Sequence, residues 1–268
     1  MANIILNDTT NTKTGENKDI DRELKTGINN LKGNFYDLET GGVNYPAMKG
    51  SEPYEEYKAI TAQLKDFDLK SLKTRETKLA FWINIYNSLV VHGIVQMEVK
   101  KTIKEISHFF ESVSYNIGGH TFSLDDIEHG ILRGNIKKHL FARRPFSSND
   151  PRKEFILETL EPRIHFCLVC GSKSCPPIGT YQEDKIDQQL DMAAGSFING
   201  EDIIIEKNRN KLRLSRIFKW YKQDFGNDEE LIRFIAKYRR NIEEKEFLEK
   251  NARSISLSFN DYDWNLNH

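Results

Sequence analysis

Sixteen residues, Arg163 to Ile178 (RIHFCLVCGSKSCPPI), hold all three cysteines of the chain together with His165. Such a cluster points first to thiol chemistry. A cysteine attacks an acyl carbon, exchanges disulfides or binds a metal as its thiolate, and an ordinary thiol titrates near ~8.5, so a reactive one needs help to ionise. Cys170 and Cys175 are the candidate nucleophiles, and Lys173, His165 and His129 are the candidates to supply a base or a positive charge. Glu128 or an asparagine could orient the imidazole, as in Cys-His-Asn sites. The alternation of Ile164, Phe166 and Leu168 against His165, Cys167 and Val169 predicts a strand that stops at Gly171. Pro176 and Pro177 stiffen the loop that follows, and they withhold the N–H groups that a cysteine at a helix start would use.

Three other readings compete with a thiol hydrolase or acyl transferase. Zinc tolerates a set made of His165, Cys170, Cys175 and Glu128 or His129, but Cys-x4-Cys is not the usual tight knuckle, so no metal and no cofactor is expected. Cys170 and Cys175 could close a disulfide ring across four residues that include a glycine, although the motif is not Cys-x-x-Cys. In a non-enzymatic interaction or scaffold module, His165 is a core histidine, the cysteines are small buried hydrophobes, and the Asn and Glu side chains are polar pins. A catalytic site predicts a cleft where Cys170 or Cys175, His165, Glu128 and Asn84 converge. A scaffold predicts that these positions scatter or are sealed from water.

The elements that must position these residues follow from periodicity. Arg75 to Met97 is the longest predicted helix, and its stretch LAFWINIYNSLVVHGIV is apolar nearly all round, which marks the buried central helix. Asn84, Asn87 and His92 inside it need partners, because an unpaired buried polar group costs about 1–3 kcal/mol. Ser123-x-x-Asp126 caps a second helix, SLDDIEHGILRGN, that carries Glu128, His129 and Arg133 within one and a half turns. In an α-helix adjacent residues diverge by about 100°, so Glu128 and His129 do not face one point. SVSYNIGGHTFSL, with His120, and DIIIEKNRNKLRLS read as two hairpins. Amphipathic helices are expected at Asp19–Leu31, from Ser51 to Leu64, at Lys153–Leu160, after a Thr180-x-x-Glu183 capping box, and at Ile217–Asp224, Asp228–Tyr238 and Ile242–Asn251. A last strand is expected at Ser254–Phe259. The aromatic tail DYDWNLNH should dock on the body.

Residues 1–17 are polar and are expected to form a disordered arm, with a single helix-rich α+β domain over 18–268 that has a small, mostly antiparallel sheet. Lys plus Arg number 39 against 40 Asp plus Glu, for a net charge of −1, so nothing in the charge balance calls for nucleic acid. No apolar run reaches the ~18 residues of a spanning helix. The first twenty residues lack the basic start and apolar core of a signal peptide, and three clustered cysteines are no secreted disulfide framework, so a reducing, cytoplasmic setting is expected. The expected partner is a small molecule or a peptide.

Five stretches, taken in order, resemble the signature blocks of the domain of unknown function 547 family: AFWINIYNSLVVHGIV, YNIGGHTFSLDDIEHGILR, PRIHFCLVCGSKSCPPI, FKWYKQDFG and YDWNLN. The resemblance runs from about residue 40 to the C-terminus. It implies fold membership and leaves the activity open. The positions that match are Trp82, Asn84, Tyr86, Asn87 and His92, then His120, Glu128, His129 and Arg133, and in the central block His165, Cys170, Gly171, Ser174, Cys175 and Pro176. Plant members resemble this block but carry Ser at the position of Cys175, which makes Cys170 the safer family position.

Overall fold

The computed structural model describes residues 3–8, 20–37, 39–138 and 141–268. The chain is helix-rich α+β, as the sequence predicts, and its backbone contacts gather into two compact units. The first comprises 1–160, 168–186 and 264–268; the second comprises 161–167 and 187–263.

The first unit is built around the helix that the sequence marks as buried. Its range is Arg75–Gln96, and every residue from Leu79 to Val95 is buried. Thr74 opens it with a capping box to Thr77, and an apolar surface on all sides leaves it no stable place but the interior. Before it come β1 (Ile4–Ile5), α1 (Ile20–Phe35), α2 (Tyr45–Met48) and α3 (Glu52–Ala62), which makes the buried helix α4. Ile20, Leu24, Ile28 and Leu31 turn one stripe of α1 inward, and Ser51 with Pro53 starts α3 as its sequence requires. After α4, the short α5 (Phe109–Ser112) leads into the expected hairpin, formed by β2 (Val113–Ile117) and β3 (His120–Ser123) and turning at Gly118 and Gly119. Helix α4 packs against α1, α2, β2 and the helical segment that follows β3.

Residues 4–7 correct the expected disordered arm. Ile4 and Ile5 pair in parallel with Val113 and Ser114, so the hairpin gains a third strand. Asn7, 1% exposed, exchanges two hydrogen bonds with the backbone of Asn116, each of 2.8 Å, and donates to Thr61 C=O at 3.0 Å. The apolar Ile4-Ile5-Leu6 run satisfies what would otherwise be an open strand edge. The rest of the predicted arm, residues 1–2 and 9–17, lies outside the described residues.

In the second unit α6 (Ile186–Ile198), from Asp187 on, precedes the hairpin of β4 (Ile204–Glu206) and β5 (Lys211–Leu214). Then come α7 (Arg216–Trp220), α8 (Asp228–Tyr238), α9 (Ile242–Asn251) and β6 (Ser256–Phe259), which joins β5 in parallel. Phe166, Leu212, Phe218, Leu231 and Ile235 are among the residues that fill its core.

Three local expectations are corrected. Pro162–Phe166 is a 3-10 helix and not a strand, because Pro162 brings no N–H to a ladder and the Glu161 side chain caps Arg163 N–H. His165 and Cys167 therefore do not share a strand face. The turn before α6 is a 3-10 helix, Glu183–Lys185, preceded by Gln182 without a side-chain cap, so the Thr180 capping box does not form. The expected helix at Lys153–Leu160 is a 3-10 helix at Pro151–Phe155, started instead by Asp150.

Candidate functional site

Two buried asparagines on α4 hold the segment that carries Cys170 and Cys175. Asn87 Oδ1 accepts the N–H of Val169 at 3.0 Å, immediately before Cys170. Asn84 takes both polar groups of Tyr181, accepting its N–H and donating to its C=O, each at 2.9 Å. Both side chains are fully buried, and these bonds repay their desolvation. The tail docks on the same segment, as the sequence predicts. Ser172 bridges Leu266, Lys173 N–H donates to Asn265 C=O at 2.8 Å, and Asn267 N–H donates to Gly171 C=O at 3.0 Å.

Glycine is the residue that fits position 171 without strain. Its φ is +75°, and a Cβ there would lie 2.4 Å from Ile94 Cδ1 on α4. Gly171→Ala should destabilise the first unit by about 1–3 kcal/mol and raise hydrogen exchange in the cysteine loop. Unchanged exchange would mean that the loop shifts off α4 at no cost.

Cys170 and Cys175 lie inside this frame, both half-buried and not joined in a disulfide. Cys175 N–H bonds Ser172 C=O at 3.1 Å, which folds the loop back on itself. That fold brings the Cys170 N–H to Cys175 Sγ at 2.8 Å, while the Cys175 thiol donates to Leu168 C=O at 3.8 Å, a bond that only the protonated thiol makes. Cys170 Sγ lies 3.0 Å from Ser172 Oγ. An amide N–H can only donate, so Cys175 sulfur is the acceptor, and a donor of this kind favours the thiolate. Tyr45 stands beside both sulfurs and donates to Asn267 Oδ1 at 2.9 Å. Its phenol is held well above the ordinary range, by burial first, then by Tyr36, Cys175 and Cys170, so it keeps its proton. The Lys173 side chain is exposed.

The acid, imidazole and guanidinium of the second predicted helix meet in a different way from that expected. Asp126–Leu132 is a π-helix, with Arg133 N–H bonded to Glu128 C=O five residues back at 2.9 Å. Its wider turn advances each residue by less than the α-helical angle, so Glu128 and His129 are drawn to one side. Glu128 Oε2 accepts the Tyr86 hydroxyl at 3.1 Å, and Glu128 Oε1 is 3.9 Å from His129 Nδ1. Arg133 Nη1 donates to His129 Nδ1 at 2.7 Å. A guanidinium has no acceptor, so Nδ1 carries no proton; the ring proton is on Nε2, which faces Asp125 Oδ1 at 3.8 Å. Lys138 in turn holds Asp125 at 2.9 Å. Burial lowers the His129 pKa and outweighs Glu128 and Asp125, which act to raise it. Glu128, His129 and Arg133 are 5, 3 and 1% exposed, which seals this network from solvent.

The remaining predicted residues have contacts of their own. His92 Nδ1 is 2.8 Å from the Tyr115 hydroxyl, and its ring meets Tyr54 and Tyr57 edge-on. His120 packs on Phe122 and Phe155. His165 belongs to the second unit, where Nε2 is 2.8 Å from Asp224 Oδ2 and the ring stacks on Tyr221 at 3.8 Å. Cys167 is buried there, with its thiol donating to Arg163 C=O at 3.5 Å. Among the described residues, no group of three or more His, Cys, Asp or Glu side chains is placed to hold a metal ion. No helix among them is long and apolar enough to cross a membrane.

Residue reasoning alone missed Tyr45, Ser172 and Asn267 beside the sulfurs, Tyr86 as the donor to Glu128, and Tyr221 with Asp224 around His165. The signal was present in part. Tyr221 and Asp224 lie in the FKWYKQDFG block, and Asn267 ends YDWNLN.

Two asparagines of a buried helix thus hold the cysteine-bearing loop of this α+β chain. Residues 69–198, just under half of the chain, match the family described as protein of unknown function, DUF547. The matched span takes in α4, the first hairpin, the π-helix and the cysteine loop; the FKWYKQDFG and YDWNLN blocks lie beyond it. No curated protein and no solved structure matches the chain.

Proposed function

We propose that the loop from Cys170 to Pro177 is a thiol site, with Cys175 as its nucleophile, acting on an acyl group of a small molecule or peptide as a hydrolase or acyl transferase. The observation that carries this reading is the Cys170 N–H directed at Cys175 sulfur. Irregular backbone held at Val169, Tyr181, Ser172 and Lys173 keeps that donor in place without the sulfur being buried outright. A rigid scaffold under a half-exposed reactive group is the usual arrangement of loop chemistry. In the reaction, Cys175 thiolate adds to the carbonyl carbon and the leaving group departs with a proton, which forms a thioester. Water, or another acceptor, then cleaves the thioester and regenerates the thiol.

The test is the pH dependence of alkylation by iodoacetamide, read separately at Cys167, Cys170 and Cys175 in the folded, reduced protein. Cys175 should react with an apparent pKa of about 7 or below, and buried Cys167 should be inert. Ordinary titration of Cys175 near ~8.5 or above would sink the thiol site.

The scaffold reading has its own observation in its favour. Asn84, Asn87, Tyr86, Glu128 and Arg133 all lie buried and are spent on internal bonds, so they are pins whether or not the loop is reactive. In that reading the loop supports an interaction surface, and all three thiols titrate as ordinary or buried cysteines.

A further inference from the structure

The geometry points to Cys170 and Cys175 as a reversible disulfide pair, a modification site that closes the loop on itself and masks the nucleophile. This rests in part on the thiol reading above, because the masked group is Cys175, but ring closure is a separate property of the loop.

The reach follows from one contact. Cys175 Sγ is 2.8 Å from Cys170 N. With an N–Cα bond of about 1.46 Å, Cys170 Cα is at most about 4.3 Å from that sulfur. In a disulfide each Cα lies roughly 3–4 Å from the partner sulfur, so this upper bound is compatible with ring closure. Closure requires the Cys170 sulfur to leave Ser172 Oγ and turn towards Cys175, a movement that rotation about its Cα–Cβ bond supplies. The loop is preformed for this. Gly171 holds the left-handed turn, and the Cys175 N–H to Ser172 C=O bond brings the chain back. Cys170 and Cys175 are only half-buried, which leaves the pair open to a small oxidant in this proposal, whereas Cys167 is buried.

The chemistry is thiol–disulfide exchange with a low-molecular-weight disulfide such as oxidised glutathione. Cys175 thiolate attacks one glutathione sulfur, the glutathione S–S bond breaks, and one glutathione leaves as a thiolate that takes up a proton. Cys170 then gives up its proton and attacks Cys175 sulfur, which expels the second glutathione. Two protein thiols are oxidised and one glutathione disulfide is reduced to two thiols.

The experiment uses the full chain, equilibrated with oxidised glutathione and, in a parallel arm, with diamide. Remaining thiols are trapped with iodoacetamide, and the peptide containing both cysteines is weighed. Wild type should lose both thiols together, its peptide lighter by two hydrogens, with full recovery after reduction. Cys170→Ser should instead accumulate one glutathione on Cys175, because the resolving thiol is gone. A wild-type peptide that retains glutathione on one cysteine, or that loses the two thiols independently, overturns the pair. Fast alkylation of Cys175 without ring closure leaves the nucleophile and removes the disulfide. Ring closure under diamide with slow alkylation does the reverse.

Discussion

Arg133→Met should lower the stability of the first unit by about 3–5 kcal/mol, the range for removing one member of a buried charged network. Arg133 is 1% exposed, and its Nη1 donates to His129 Nδ1 at 2.7 Å. Methionine replaces much of the aliphatic stem but not the cation. Glu128, also buried, and Asp125, already pushed up in pKa by burial, would then stay in the interior without the guanidinium's charge nearby. His129 would lose the donor that fixes its tautomer. Arg133→Lys keeps a charge and loses the planar fork, so it should fall between the two. Hydrogen exchange of the α4 amides reads the effect within the unit that holds the network, and a loss below about 1 kcal/mol in the methionine variant would show that the cation contributes little there.

The α4 helix was legible because seventeen consecutive buried residues need an apolar surface on every side, and only Asn84, Asn87, Ser88 and His92 break it. Those exceptions were legible as residues needing partners, but the partners lie far away in sequence: Tyr181 for Asn84, Val169 for Asn87 and Tyr115 for His92. The hairpins and the ends of α8 and α9 follow from turn residues and caps, which are local physics. The alternation from Ile164 to Val169 misled for a local reason as well, since Pro162 and the Glu161 cap favour a helical turn over a ladder. The π-helix could not be read from a pattern that assumes 3.6 residues per turn. Within it, Phe146 packs on the bare backbone of Gly130, where a Cβ would meet its ring at 2.5 Å. The cysteine loop was legible as the place for chemistry. Which sulfur receives a backbone N–H depends on the turn made by Gly171 and Ser172, and no residue spacing states that.

Acid should unfold the first unit through His92 in particular. Its pKa is lowered from 6.5 to about 3, chiefly by burial and then by the charge of Lys58. The ring faces the hydroxyl of Tyr115 and the rings of Tyr54 and Tyr57, and none of these offers a negative charge to a protonated imidazole. Between pH 6.5 and 3 the unfolded chain binds the proton that the folded chain refuses, so stability falls as the pH drops, by about 1.4 kcal/mol per unit. About 2 kcal/mol is therefore lost by pH 5, and roughly 5 kcal/mol by the time the folded-state value is reached. Above pH 6.5 both states hold the neutral ring and His92 contributes no slope. The carboxylates of the chain add slopes of their own, so the informative quantity is the difference between wild type and His92→Gln, which keeps a polar partner for Tyr115 and cannot titrate. The glutamine variant costs stability at pH 7 through imperfect packing, but its disadvantage should shrink by about 2 kcal/mol at pH 5. Parallel stability curves for the two proteins across that interval would mean that His92 takes up its proton inside the folded core, and that the core opens to water there more readily than its packing implies.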